Sequence, residues 1–263
     1  MDKKLSLLDS CLDDKHINEK DTISLICYPN SNKCDTYYRL NQIDTLGIEK
    51  LCNYGNIMIN GNKYRNFHIL GKGHSSIVLL GYVKKIGLKV IKIRRVDSKR
   101  SELINEGKIL EKLSKYGISP KVYGYSRDFL IMDYVGEINL GYVLNNENKS
   151  NIINSLIESL KSIKLLDYTN IIHNELNRPW KNIYFPNYPN YFPALIIDFE
   201  SYSEGCGNLN KFIGGIIGKL NITRFSKNLL ELLAEYKNKN CDPLFFDKII
   251  KELLFIINTC FIR

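Results

Sequence analysis

An α+β fold is predicted for this chain of 263 residues by three observations. Strand-like apolar runs cluster between residues 67 and 136, one amphipathic helix interrupts them, and from residue 137 onward the apolar residues recur at helical spacing. Hydrophobic residues make up 44% and charged residues 25%, an ordinary globular balance that excludes a disordered or fibrous chain. The length suffices to bury a proper core.

Residues 1–66 read as a small N-terminal module of unknown role, with weak helical patterns in "LSLLDSCL" and "IDTLGIEKLCNYG" on either side of a Pro/Asn/Ser break at 29–32. The chain starts like a signal peptide, but Asp9, Asp13 and Asp14 cut the apolar stretch short. No apolar run approaches membrane-span length, so a cytoplasmic protein with no membrane partner is expected.

In residues 67–136 the strands are "FHILGKGHSSIVLLGYV" and "LKVIKIRR", joined by a turn at "KKIG", followed later by "KVYGYSR" and "DFLIMDYV". Between them "SELINEGKILEKLSKYG" is a helix that stops at Gly117, with Pro120 close behind. In residues 137–263, Ile153, Leu156, Ile157, Leu160 and Ile163 mark a helix by their three- and four-residue spacing. The loop "IIHNELNRPWKNIYF", a Tyr/Pro/Asn-rich stretch and the buried-strand pattern "ALIIDFE" come next, and helices near 208–220, 225–237 and 243–260 complete the chain.

The seven cysteines lack any C-x-x-C pair or nearby His at zinc spacing, and buried free thiols are expected. Four histidines make a His-built metal site improbable, so a metal would need oxygen ligands. Charge is uneven. Residues 61–128 carry 16 Lys/Arg against 5 Asp/Glu, whereas 1–60 carry 7 against 9 and 129–263 carry 14 against 14. Such a segment is usually a solvated face, and it is also a candidate contact for RNA, a ribosome or other phosphates.

Several residues are placed for chemistry. Gly71 and Gly73 lie between two strands, where missing side chains let backbone N–H groups approach phosphate, although a plain hairpin turn explains them as well. Strand alternation puts Lys92 on the face of apolar Val90, and Glu106 falls on the apolar stripe of Leu103, Leu110 and Leu113. A lysine and a carboxylate so placed would account for each other, although a Lys on a sheet rim and a Glu at the edge of the stripe explain them as well. Asp198 ends a buried strand, a position suited to Mg²⁺ and equally to a turn. Glu175 could orient a hydroxyl, and Arg178 and Lys181 could neutralise phosphate charge.

Taken in chain order, the Gly-rich hairpin, Lys92, Glu106, "LIMDYVGE", His173-x-Glu175, a following Asn and Asp198-Phe199 resemble the signature set of the protein kinase-like superfamily over residues 67 to about 202. The compact C-terminal part is most similar to the RIO and KEOPS-associated atypical kinases. "LGKGHSSIV", "H-x-E-L-x-R" and "IIDFES" resemble a family of archaeal predicted serine/threonine kinases, and the likeness reaches the N-terminal module through "CYP" and "LGIEKL". The resemblance implies a bilobal kinase-like fold, with a small antiparallel-sheet N-lobe at 67–136 and a mostly helical C-lobe at 137–263.

It also implies roles. Gly71, Gly73, Ser75 and Ser76 would cover the phosphates of ATP, Val78 and Val90 would pack on adenine, Met132 would sit behind it, and the backbone of Asp133 to Val135 would bond its edge. Lys92 would contact the α/β-phosphates, held by Glu106. Asp198 and Asn182 would hold Mg²⁺, Glu175 would receive or orient the acceptor hydroxyl, and His173 would brace its loop. The chain departs from the pattern in having Glu175 for the usual Asp, Asn182 two residues late because Trp180 stands at the usual spacing, and Glu200 where a glycine is usual. The implied activity is ATP/Mg²⁺-dependent transfer to a Ser/Thr hydroxyl of an unidentified protein or of the chain itself. A nucleotide-binding pseudokinase or scaffold, an RNA- or ribosome-associated ATPase and a small-molecule kinase are the alternatives.

Overall fold

The computed structural model describes residues 19–59, 67–222 and 226–260. It forms two compact units, one of Met1–Lys108 with Lys121–Tyr134 and the other of Ile109–Pro120 with Val135–Arg263. The helical pattern expected in "LSLLDSCL" lies outside the described residues.

In the first unit, helices α1 (Glu19–Ile26) and α2 (Thr36–Leu46) precede strands β1 (Ile48–Cys52), β2 (Ile57–Ile59), β3 (Phe67–Ile69), β4 (Gly71–Lys72), β5 (Ser76–Val83) and β6 (Gly87–Arg94). Helix α3 (Ile104–Ser114), whose first turns belong to this unit, is followed by β7 (Val122–Tyr125) and β8 (Phe129–Met132). The main sheet runs β1-β5-β6-β8-β7 with β4 also on β5, and its pairs are antiparallel.

The N-terminal region reads as weakly helical in sequence, and the structure corrects part of that. Asp35 caps α2 by accepting a hydrogen bond from the Tyr38 N–H at 3.0 Å, and Gly47 ends the helix in the left-handed conformation, φ 68°. The chain beyond Gly47 turns into an edge strand, so "IEKLC" is β1 and pairs with β5. Gly81 makes that pairing close, since a Cβ there would lie 2.6 Å from the Lys50 carbonyl oxygen.

The β5, β6 and β8 strands present two faces. Ile77, Leu79, Ile91, Ile93, Phe129 and Ile131 form one core with Leu25, Ile26 and Tyr28 from α1 and its exit and with Ile48 and Leu51 of β1. The N-terminal residues thus cover one side of the sheet. The alternate residues occupy the other side, and that side carries the candidate site.

The second unit contains α4 (Leu140–Asn146), α5 (Lys149–Tyr168), β9 (Ile171–His173), α6 (Pro179–Asn182), β10 (Ile183–Tyr184), β11 (Leu195–Ile196), β12 (Tyr202–Glu204), α7 (Asn208–Lys219), α8 (Lys227–Asn238) and α9 (Pro243–Cys260). Helix α5, capped by the Asn148 side chain, buries Ile152, Leu156, Leu160, Ile163 and Leu166. It packs against α7, α9, β9 and β11. Strand β9 pairs with β12, and β10 with β11.

The cysteines are not all free thiols. Cys27–Cys34 and Cys206–Cys241 are disulfides with Cα–Cα distances of 5.5 and 6.1 Å. Their spacings match no C-x-x-C pattern, because the fold rather than the local sequence brings each pair within bonding reach. No described helix is long and apolar enough to cross a membrane.

Candidate functional site

In the first unit, cross-strand register gathers the expected nucleotide residues. Val78 pairs with Lys92 and Lys92 with Leu130, while Leu80 pairs with Val90 and Val90 with Met132. Directly opposed residues in a ladder share a face, so Val78, Lys92, Val90 and Met132 form two adjacent rows on the side away from the N-terminal core. Lys92 is 4% exposed there. Its Nζ lies 2.8 Å from Glu106 Oε1, and Glu106 is equally buried. The pairing inferred from strand and helix periodicity is therefore present. Gly107, next along α3, lets the helix approach closely, since a Cβ would sit 2.5 Å from Tyr125 Cγ.

At the β4–β5 hairpin the Gly73 N–H donates to the Ser76 carbonyl at 2.8 Å, and Gly71 lies opposite Val78. Neither glycine has a positive φ, and a Cβ at either would meet its neighbours at ordinary contact distance. The turn itself therefore does not demand them. Ser75 and Ser76 are buried at the tip, and the Ser75 hydroxyl has no hydrogen-bond partner among the described residues. After Met132, the Asp133 N–H is already taken by the Lys121 carbonyl at 2.9 Å. Asp133 also accepts from Lys89 at 2.9 Å and from the Tyr123 hydroxyl at 3.0 Å. Its carbonyl is the backbone group it has left for a ligand. Val135 opens the longer part of the second unit and is 9% exposed.

In the second unit, His173, Glu175, Asn182 and Asp198 converge. His173 ends β9, is completely buried, and stacks edge-on against Phe199 with ring centroids 4.7 Å apart. Its Nδ1 accepts the Glu175 N–H at 3.1 Å, and its Nε2 lies 3.0 Å from the Ile197 carbonyl. Only a neutral imidazole protonated on Nε2 satisfies both contacts. One ring thus ties the backbone of Glu175 to the residue preceding Asp198, which makes His173 a brace.

Burial lowers the His173 pKa, outweighing the raising effects of the Ile197 carbonyl and of the Asp198 and Glu175 charges. The unfolded state thus takes up the proton first. Stability is full above an unfolded pKa of about 6.5 and falls as pH drops below it. Urea midpoints measured from pH 7.5 to 5 should decline for the native chain, with a shallower decline in His173→Gln. Equal slopes would show that His173 does not govern this window.

Asn182 ends α6 and is buried, and the Ile197 N–H donates to its carbonyl at 2.9 Å. The β10–β11 register pairs Ile183 with Ile196, which sets Asn182 beside the residues leading into Asp198. Helix α6 is a single short turn with Pro179 at its start. Asp198 has φ 68°, a left-handed conformation that is uncommon for a residue with a side chain. Such local cost concentrates at functional positions.

Carboxylate oxygens of Asp198 and Glu200 lie within 4.8 Å of each other. Two acidic oxygen ligands this close suit a hard cation such as Mg²⁺. Glu200 was not among the expected ligands; in the sequence it appears as the residue replacing a glycine, and the two-residue spacing of "DFE" was its available signal. Glu175 is solvent-exposed, with its N–H and carbonyl held by His173 and by the Arg178 N–H at 3.0 Å. Arg178 and Lys181 are also exposed.

Four of the sixteen basic residues of 61–128 are paired with carboxylates within the first unit. Lys89 pairs with Asp133, Lys92 with Glu106, Arg94 with Asp128 and Arg95 with Asp97. No protein-family model matches the chain, and no curated protein matches it.

Proposed function

We propose that the protein is an ATP- and Mg²⁺-dependent phosphotransferase of protein kinase-like build that acts on a Ser/Thr hydroxyl. The observation that carries this reading is the buried Lys92–Glu106 pair on the sheet face shared with Val78, Val90 and Met132. Keeping an ion pair out of water is costly when apolar residues could fill the same space, so a retained pair invites a functional explanation. A lysine amid apolar side chains suits a nucleotide, whose base is flat and apolar and whose phosphates are anionic.

In this reading Val78, Val90 and Met132 receive the adenine, the carbonyl of Asp133 and the N–H of Val135 bond its edge, and Gly71, Gly73, Ser75 and Ser76 cover the phosphates. Lys92, oriented by Glu106, contacts the α- and β-phosphates. Asp198, Asn182 and Glu200 are the residues that would hold Mg²⁺, which when bound neutralises phosphate charge. The acceptor oxygen attacks the γ-phosphorus, the bond to the β-phosphate oxygen breaks, ADP leaves, and the hydroxyl proton passes to Glu175. Since Glu and Asp have reference pKa values about half a unit apart, the extra methylene of Glu175 changes reach more than basicity.

The test is transfer from γ-labelled ATP in the presence of Mg²⁺. Label on the protein or release of phosphate is expected, and Asp198→Ala should remove it while leaving the sheet of the first unit intact by circular dichroism. Full turnover in Asp198→Ala and in Lys92→Ala would refute the proposal.

A further inference from the structure

A second concave site lies wholly within the first unit, on the side of α2 and the end of β6. Its volume is about 280 Å³, and its charged and aromatic lining includes Lys33, Tyr38, Arg39, Arg94, Arg127 and Asp128. Asp35 is a further lining residue. Four cations therefore face two carboxylates, an excess of two positive charges.

The buried carboxylate is already committed to cations of the protein itself. Asp128 is buried, and its Oδ1 accepts from Arg39 Nη2 at 2.8 Å and from Arg94 Nε at 2.7 Å and Nη2 at 2.6 Å. Its Oδ2 accepts from Gln42 Nε2 at 2.9 Å, and Gln42 Oε1 in turn receives the Asp128 N–H at 2.9 Å. Asp35 Oδ1 is occupied as the α2 cap. Asp128 thus serves as an anchor that fixes two guanidiniums, and Arg39 also donates to the Ile26 carbonyl.

The rim is different. Arg127 uses its Nε on the Ser101 carbonyl at 3.2 Å and lies over the Tyr38 ring, 6.0 Å from its centroid. Its terminal nitrogens and the Lys33 ammonium make no hydrogen bond among the described residues. Burial lowers the Arg39 pKa, Asp128 opposes this, and Arg94 and Arg127 add to the lowering. The surrounding cations thus repel one another despite the central carboxylate.

We infer that this pocket binds a phosphomonoester dianion, held at the rim by Lys33 and Arg127 against Tyr38. A phosphomonoester carries about −1.5 to −2 charge at neutral pH, which matches the excess. A single small concave pocket fits one terminal phosphate better than a nucleic-acid backbone, which needs a continuous basic track. The planar Arg127 fork offers two parallel donors to phosphate oxygens. The inference goes beyond the proposed phosphotransfer and does not depend on it, since none of these residues is assigned to ATP.

The experiment titrates the full chain, at fixed salt, with a short phosphoserine peptide, the same peptide carrying serine, inorganic phosphate, and a single-stranded RNA without terminal phosphate. Heats of binding and amide shifts of residues 33–39 and 126–128 are read. Saturable binding of the phosphopeptide and not of the serine peptide is expected, weakened about tenfold or more in Lys33→Ala/Arg127→Ala, since each lost charged hydrogen bond counts. Both substitutions are at exposed positions, so the melting temperature should hold. Equal affinity for inorganic phosphate would support the site and assign it to the free dianion. Absence of phosphate-dependent binding, or binding undiminished in the double variant, would overturn the proposal. So would RNA binding that is tighter than the phosphopeptide's and lost in that variant.

Discussion

Lys92→Met should lower the stability of the chain by about 3–5 kcal/mol, because it leaves the Glu106 carboxylate buried without its cation. Adding Glu106→Leu should return most of that loss, since two apolar side chains can fill a space formerly held by an ion pair at little or no net cost. Phosphotransfer should behave differently. If Lys92 contacts ATP, activity is lost in Lys92→Met and stays lost in the double variant, even though stability has recovered. Urea midpoints and γ-labelled ATP turnover on the same four proteins close the cycle. Activity that returns together with stability would reduce the pair to a structural element and remove the main support for the proposed function.

How far the sequence alone leads differs between the two units for a physical reason. In the first unit, the relevant information is periodic. A strand alternates its side chains with period two and a helix repeats near 3.6, so Lys92 beside Val90 and Glu106 on the Leu103/Leu110/Leu113 stripe could each be placed before any contact was known. Periodicity places each on the apolar face of its own element, and the packing of α3 on the sheet brings them to 2.8 Å. The row of Val78, Lys92 and Leu130 depends instead on register between strands, which local pattern does not specify.

The pattern of the N-terminal region is weak because its residues cover one face of the sheet. Ile48 and Leu51 look like part of a weak helix, whereas Gly47 at φ 68° redirects the chain into β1. In the second unit, the neighbourhood of Asn182 and Ile197 depends on the β10–β11 register, which local pattern does not specify. For Glu200 the two-residue spacing of "DFE" is a signal but a weak one, since a short separation in a loop does not by itself fix the distance to Asp198. The disulfide between Cys206 and Cys241, 35 positions apart, was invisible for the same reason.

A residue that no motif singles out should have the largest structural effect in the second unit. Asp167, near the C-terminus of α5, is buried and accepts five hydrogen bonds. Its Oδ1 receives the Gly207 N–H at 2.9 Å, the Asn208 N–H at 2.8 Å and Asn208 Nδ2 at 2.8 Å. Its Oδ2 receives the Leu209 N–H at 3.2 Å and the Tyr236 hydroxyl at 2.9 Å. Burial first, and then the Asp167 charge, push the Tyr236 phenol far above its ordinary pKa, which keeps it a donor. The carboxylate thus satisfies the first N–H groups of α7, where negative charge also meets the favourable end of the helix dipole.

The same cage reaches the catalytic candidates. Asn208 donates to the Ile171 carbonyl at 2.8 Å and accepts the His173 N–H at 2.8 Å, so Asp167 holds β9 through Asn208. Strand β9 leads directly to Glu175. Asp167→Ala strands several buried donors at once, and charged hydrogen bonds are worth about 1.5–3 kcal/mol each with strong non-additivity. A loss of about 3–5 kcal/mol is expected, read as a lower urea midpoint at unchanged slope. Asp167→Asn, which replaces one acceptor by a donor facing donors, should recover little of it. Hydrogen exchange should accelerate first at Asn208, Leu209 and His173, and turnover should fall as Glu175 loses its brace. A loss of stability below about 0.5 kcal/mol, the scale of an ordinary surface substitution, would mean that α7 and β9 are positioned by packing alone.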